Sequence, residues 1–196
     1  MPKIGVLARQ GDFEAHGRAL ERAGAEPVYV RSQSELEGLA GLVIPGGEST
    51  TMLNLIHQEN LMAPLREFGA RRPIFGTCAG AILLASEVSG PPQESLSLID
   101  IGVERNAYGR QVDSRVATIS PEPAFEADAG AGDLEAVFIR APIIRRVGKG
   151  ARVLARYHED PVLVEQGRHL VATFHPELSN DSRVHQLFLK KVQEDR

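Results

Sequence analysis

Residues 73–85 read Pro73-Ile74-Phe75-Gly76-Thr77-Cys78-Ala79-Gly80-Ala81-Ile82-Leu83-Leu84-Ala85. A short aliphatic and aromatic run passes through small residues into a second apolar run of helical character. This is the pattern of a strand, a sharp turn and a helix, with a cysteine at the turn where a nucleophile elbow usually carries serine. Such a turn holds its central residue in a strained backbone conformation, so side chains beside it would collide with the turn or with a substrate. The helix that follows supplies unpaired N–H groups and the positive end of a dipole, which favour a thiolate and a neighbouring oxyanion. A lone cysteine in a Gly-rich βα turn is more often inert, and the strand-elbow-helix context is what shifts the reading towards chemistry.

Upstream, residues 3–8 form a β-branched and aliphatic run. Residues 12–23 follow with helical spacing, Phe13, Leu20 and Ala23 being apolar, and Gly24 stops them. Residues 27–30, 42–44 and 73–76 read as further strands, with helical stretches at 51–58 and 64–70. Strands alternating with helices imply a doubly wound α/β fold, its mostly parallel sheet covered on both faces. In such folds ligands bind at the carboxyl ends of the strands. The second half has strand-like pieces at 99–103, 112–119, 136–139, 152–155, 162–164 and 170–174, joined by short connections and read as antiparallel strands added to that sheet. Residues 121–133, rich in Pro, Ala, Gly and acid, read as an exposed excursion. Residues 182–194 close the chain as an amphipathic helix. There is no internal repeat, and residues 1–196 read as one domain.

The composition narrows the function. The chain has 196 residues, 42% hydrophobic and 24% charged, and its 22 basic against 26 acidic residues give a net charge of −4. With no basic block longer than a pair, such as Arg71-Arg72 or Arg145-Arg146, nucleic acid is not the expected partner. No apolar run approaches the roughly 18 residues of a membrane span, and no signal-like segment opens the sequence. A single cysteine, Cys78, excludes an intramolecular disulfide and suits a reducing compartment, so the cytoplasm is expected.

A cysteine nucleophile needs a base, and the candidates are His16, His57, His158, His169, His175 and His185. His175 ends a strand and is separated from Glu177 only by Pro176, which restricts the backbone between them. Glu177 can therefore hold the imidazole tautomer and stabilise its charged form, as the third member of a triad does. Directly after the strand at 42–44 comes Pro45-Gly46-Gly47-Glu48-Ser49-Thr50-Thr51. It lacks the Gly-Lys-Ser/Thr of a P-loop, and it is no dinucleotide fingerprint. An oxyanion hole made by the N–H groups of Gly47 and Ala79 fits it better; a tight turn with Ser49 capping the next helix is compatible. There is no His-Glu-x-x-His and no calcium loop, and His158-Glu159-Asp160 reads as a solvated turn, so neither metal nor cofactor is expected.

Taken together, the elbow, residues 45–50 and Phe174-His175-Pro176-Glu177 resemble the class I glutamine amidotransferases. Two further stretches, Val103-Glu104-Arg105-Asn106-Ala107-Tyr108-Gly109-Arg110-Gln111-Val112-Asp113-Ser114 and Val137-Phe138-Ile139-Arg140-Ala141-Pro142, resemble the glutaminase subunits of pyridoxal 5'-phosphate synthases. The resemblance covers essentially the whole chain and implies a flavodoxin-like glutaminase fold. It also implies that Cys78 attacks the carboxamide of L-glutamine, that Gly47 and Ala79 amides hold the oxyanion, and that His175, oriented by Glu177, moves the protons. It places glutamine recognition at Gly47, Glu48, Ser49, Arg105, Ile139 and Arg140, with Gln10 near the oxyanion region and the partner surface. It further implies that ammonia passes to a separate (β/α)8-barrel synthase subunit. The sequence departs from that pattern at Arg9, where relatives carry an apolar residue, and more mildly at Ala81 and Gly102. Two other readings compete: a glutaminase feeding another synthase, or a γ-glutamyl hydrolase with the same triad, which residues 103–114 disfavour; and a non-catalytic scaffold, which should lack a triad member.

Overall fold

A computed structural model describes residues 1–107 and 114–195. In chain order the elements are β1 (Lys3–Leu7), α1 (Phe13–Ala23), β2 (Glu26–Val30), β3 (Gly41–Ile44), α2 (Ser49–Gln58), α3 (Met62–Arg71), β4 (Ile74–Thr77), α4 (Ala79–Leu84), β5 (Ala85–Ser89), β6 (Ile99–Glu104), β7 (Arg115–Ile119), α5 (Pro123–Ala129), β8 (Leu134–Phe138), β9 (Ile143–Val147), β10 (Arg152–Tyr157), β11 (Asp160–Gln166), β12 (His169–Ala172) and α6 (Arg183–Glu194). Among the described residues the central sheet has seven strands in the order β10-β11-β12-β4-β3-β1-β2. The five strands from β12 to β2 run parallel, and β11 and β10 add an antiparallel margin.

Alternation along each strand divides the core. Leu42 and Ile44 of β3, Ile74 of β4 and Val171 of β12 pack on one face with α2, α3 and α4. Val43, Phe75, Leu170 and Ala172 pack on the other with α1, α5 and α6. Burial on both faces is why these strands are aliphatic throughout. The doubly wound α/β expectation holds. Because β1, β3, β4 and β12 are parallel, the turns that follow them all emerge at one edge: residues 8–12, 45–48, 78 and 173–175.

The second half differs from expectation in its connections. Of the six strand-like pieces, only those at β10, β11 and β12 join the central sheet. β6 lies in a separate three-stranded sheet, β5-β6-β9, whose β5–β6 pair is parallel, while β7 and β8 form a two-stranded ribbon. Residues 112 and 113 of the expected strand at 112–119 lie outside the described residues. The excursion at 121–133 contains α5, which starts at Pro123 and is anchored by Phe125, fully buried against the core. Pro at a first helical position is pre-set for the helix, and one aromatic anchor outweighs a composition that otherwise suggests a loop. Arg145 and Arg146 lie within β9 and pair with Glu104 and Asp100. Among the described residues no helix is long and apolar enough to cross a membrane.

Candidate active site

The elbow is built by sheet pairing. β4 ends at Thr77, the Cys78 N–H donates to the Ala172 carbonyl of β12 at 2.8 Å, and Cys78 itself adopts φ +52°, ψ −109°. A non-glycine residue there is strained. The turn survives because Gly80 lets α4 close on β3: a Cβ on Gly80 would lie 2.1 Å from the Ile44 carbonyl oxygen. α4 begins at Ala79, so the Ala79 N–H stands at a helix start beside the sulfur.

β12 supplies the partner. After Ala172 the chain continues to His175, whose N–H is tied to the Val137 carbonyl at 2.8 Å, and Pro176–Leu178 form one 3-10 turn that folds Glu177 back under the imidazole. His175 Nδ1 lies 2.6 Å from Glu177 Oε1, and both residues are buried. Burial alone lowers the imidazole pKa. Hydrogen bonds to the Cys78 sulfur and to Glu177 outweigh it and raise the value to about 10. A thiol and a His-Glu pair almost a hundred residues later thus form one hydrogen-bonded line at adjacent strand ends.

The loop after β3 closes the other side. A Cβ on Gly46 would meet His175 Cε1 at 2.7 Å and Cys78 Cβ at 3.2 Å, so only glycine lets this backbone lie over both. Gly47 follows at φ +130° under the side chain of Gln10, whose Nε2 donates to the Glu48 carbonyl. Glu48, not Ser49, caps α2: its carboxylate accepts from the N–H groups of Thr50 and Thr51 and from the Thr51 hydroxyl. Partial burial works against its charge, but those hydrogen bonds prevail and hold its pKa below the usual carboxylate range. The longer glutamate side chain reaches the N–H groups of the second and third helical residues, a capping role that short polar side chains fill more often.

These parts line a cleft of about 690 Å³ together with Arg105, Ile139 and Arg140. The Cys78 sulfur lies 3.9 Å from the Ile139 carbonyl oxygen. Arg105 is mostly buried; it donates to the Thr50 hydroxyl, and its Nε has no partner among the described residues. Arg140 is exposed at φ +45°. Arg9 does not line this cleft: its guanidinium pairs with Glu59 at 3.1 Å and donates to the Arg31 carbonyl. The stretch 108–113, part of the second resemblance, lies outside the described residues. A larger groove, about 990 Å³, runs between residues 33–40 and α3, but neither cysteine nor histidine lines it.

Of the other histidines, His57 is exposed beside Glu94, and His158 sits in a turn against Tyr157. His169 is buried with its Nδ1 accepting from the Ile74 N–H, and burial lowers its pKa to about 4. His16 and His185 are different: both are fully buried directly behind Glu177, a cluster that motif reading missed. Helical spacing was the available signal, since His16 shares the inner face of α1 with Leu20, and His185 that of α6 with Leu189 and Val192.

A profile of the SNO glutamine amidotransferase family matches residues 6–194. The pyridoxal 5'-phosphate synthase subunit PdxT of Solibacter usitatus is 63% identical over 98% of this chain and 100% of its own length. That of Koribacter versatilis is 53% identical over 97% of this chain and 95% of its own. A crystal structure of a glutamine amidotransferase superposes with a TM-score of 0.88 at 45% identity, covering 97% of this chain and 98% of that one. A putative GMP synthase subunit from Thermoplasma acidophilum, at 18% identity and a TM-score of 0.72, shares the fold.

Proposed function

The chain belongs to the SNO glutamine amidotransferase family, and from that premise we propose that it is the glutamine-hydrolysing subunit of a pyridoxal 5'-phosphate synthase, delivering ammonia to a barrel-shaped synthase partner. The observation that carries the chemistry is the line from Cys78 through His175 to Glu177, closed at 2.6 Å between the last two. The pathway assignment rests on the likeness to PdxT subunits over nearly the full length of both chains.

In this reading the Cys78 thiolate adds to the side-chain carbonyl carbon of glutamine. The carbonyl oxygen takes the negative charge and is met by the N–H groups of Gly47 and Ala79. His175, held protonated by its two partners, gives its Nε2 proton to the departing nitrogen. The C–N bond breaks, ammonia leaves and a glutamyl thioester remains. The now neutral His175 takes a proton from water as the water oxygen attacks the thioester. Collapse of that second tetrahedral adduct breaks the C–S bond, releases glutamate and restores the thiolate and imidazolium. Glu177 stays ionised throughout and fixes the ring. Arg105, which lines the cleft wall, takes the substrate carboxylate, and the Ile139 carbonyl and Arg140 complete the mouth. Gln10, packed on Gly47, is the residue through which we expect a docked partner to act on the oxyanion loop. A free thiol on which turnover depends suits a reducing compartment, and the cytoplasm is the location we propose.

The test is glutamate release from glutamine by the purified chain, alone and with the barrel synthase of the same source, beside Cys78→Ala. We expect strong stimulation by the partner and turnover at background in the variant. Substantial turnover by Cys78→Ala would remove the nucleophile assignment, and high activity indifferent to the synthase would point to an independent hydrolase.

A further inference from the structure

Behind the line just described, the buried polar chain does not stop at Glu177. Its second oxygen, Oε2, lies 3.3 Å from His16 Nε2 and has no aligned hydrogen-bond partner. The same ring nitrogen lies 3.1 Å from the Thr77 hydroxyl oxygen, and His16 Nδ1 lies 3.0 Å from His185 Nε2. All of these groups are at most 5% exposed. A carboxylate taken this far out of water costs several kcal/mol unless both oxygens meet donors.

Only one arrangement of protons suits the set. If His16 carried its proton on Nδ1, the Nε2 lone pair would face an anionic oxygen at 3.3 Å. With the proton on Nε2, that N–H donates to the Thr77 hydroxyl and turns its positive end towards Glu177 Oε2 at 3.3 Å, and Nδ1 accepts from the Nε2–H of His185. His185 Nδ1, which has no partner among the described residues, is then a bare lone pair, not a stranded N–H. Phe75 lies edge-on against both rings and keeps water from competing.

We propose that His16 is a positioning residue of the reaction: as a neutral Nε2–H tautomer fixed by His185, it holds the free oxygen of Glu177, so that the carboxylate faces His175 with its full charge. The neutrality matters. A charged His16 would compete with His175 for the same anion, whereas a neutral donor satisfies the oxygen without cancelling it. Burial first, then the proximity of His185 and His175, pushes the His16 pKa well below 6.5, and burial brings that of His185 to about 3. The ionisable groups facing this set are Cys78 from the elbow, Glu177 and His175 from their own turn, His185 from α6, and Arg22 at the end of α1, which acts on His185.

The inference rests on the Cys78–His175–Glu177 reading, and its test is kept separate from turnover. Ring-nitrogen NMR on the unsubstituted chain should show His16 as the neutral Nε2–H tautomer between about pH 6 and 9. A charged His16, or the Nδ1–H tautomer, overturns the proposal without touching the triad. His16→Leu should lower the titration midpoint of His175 by about one pH unit, the size of one lost hydrogen bond to a charged group. It should cut kcat about tenfold with the glutamine KM unchanged. His16→Gln, which keeps an N–H within reach of Oε2, should restore most of both. If His16→Leu does not fold, His16→Gln alone decides: a His175 midpoint close to that of the unsubstituted chain supports the proposal. A midpoint that falls with Gln, or that does not move with Leu, reduces His16 to packing. Failure of the triad reading would instead show as turnover surviving Cys78→Ala.

Discussion

The two sides of His175 are made differently. Behind it stand Glu177, His16 and His185, buried in secondary structure, with hydrogen bonds from His175 to Glu177 and from His16 to His185 and a close 3.3 Å contact between Glu177 and His16. In front of it lies a cleft walled by loops, with Gly46 and Gly47 presenting backbone, Arg140 exposed, and Gln10 and Glu48 occupied with holding the loop in shape. Proton chemistry needs fixed distances and a dry surround, which core elements provide. Substrate entry and a docking partner need a surface that can adjust, which loops provide. Reactivity is thus set from within the core and access from the rim.

The largest effect that sharpens this contrast comes from the rear. His175→Ala removes the proton carrier and should lower kcat about 10³-fold, while Glu177→Gln, which spoils orientation and charge only, should cost about 10²-fold. Steady-state kinetics of the complex separates the two. Equal losses would mean that they act as one unit. At the front, Arg105→Ala should raise the glutamine KM about tenfold and leave kcat within about twofold, and Arg140→Ala should do less. A kcat loss at Arg105 as large as its KM effect would break the division between core chemistry and rim binding.

The smallest and most diagnostic effect is on stability against pH. His185 and His169 stay neutral in the folded chain to about 3 and about 4, whereas unfolded histidine titrates near 6.5. As pH falls below 6.5 the unfolded chain binds more protons, so stability drops in that window. His175 is the opposite case: folded, it keeps its proton to about 10, so stability drops as pH rises from 6.5 towards 10. Thermal denaturation should therefore give a Tm that peaks near pH 6.5 and declines on both sides by several degrees. His185→Leu should reduce the acid-side decline, leaving the part due to His169, and an unchanged acid slope would contradict a neutral buried His185.

What could be read from sequence follows the same division. The first-half strands and helices were legible because aliphatic runs and Gly or Pro punctuation encode local structure directly. The turns holding Cys78, the Gly46-Gly47 pair and His175 were legible because each follows a strand in a parallel sheet, whose geometry brings such turns to one edge. The grouping of the second-half strands into three sheets was not legible, because alternation says which face is buried and not which neighbour is paired. Phe125 is one buried ring in a stretch of small and acidic residues, too little pattern to announce a helix. His16 and His185 carry no motif at all: they sit at core-facing helical positions where an aliphatic residue would serve packing equally well, and their meaning exists only where α1 and α6 meet β4.

The place of β12 in the sheet has a further consequence, for biosynthesis. β4, which ends at the thiol, is flanked on one side by β3 and on the other by β12, a strand from late in the chain. A nascent chain that has emerged only as far as β9 can shape β3, β4 and the elbow, but it has neither the imidazole nor the Ala172 carbonyl that anchors the Cys78 N–H. The cysteine is therefore unarmed for most of translation. Insertion of β12 between β4 and β11 is a long-range closure of the kind that slows folding, and it brings the base to the thiol in the same event. Stalled or truncated chains should be inert, and the reactive pair exists only in molecules whose central sheet is complete.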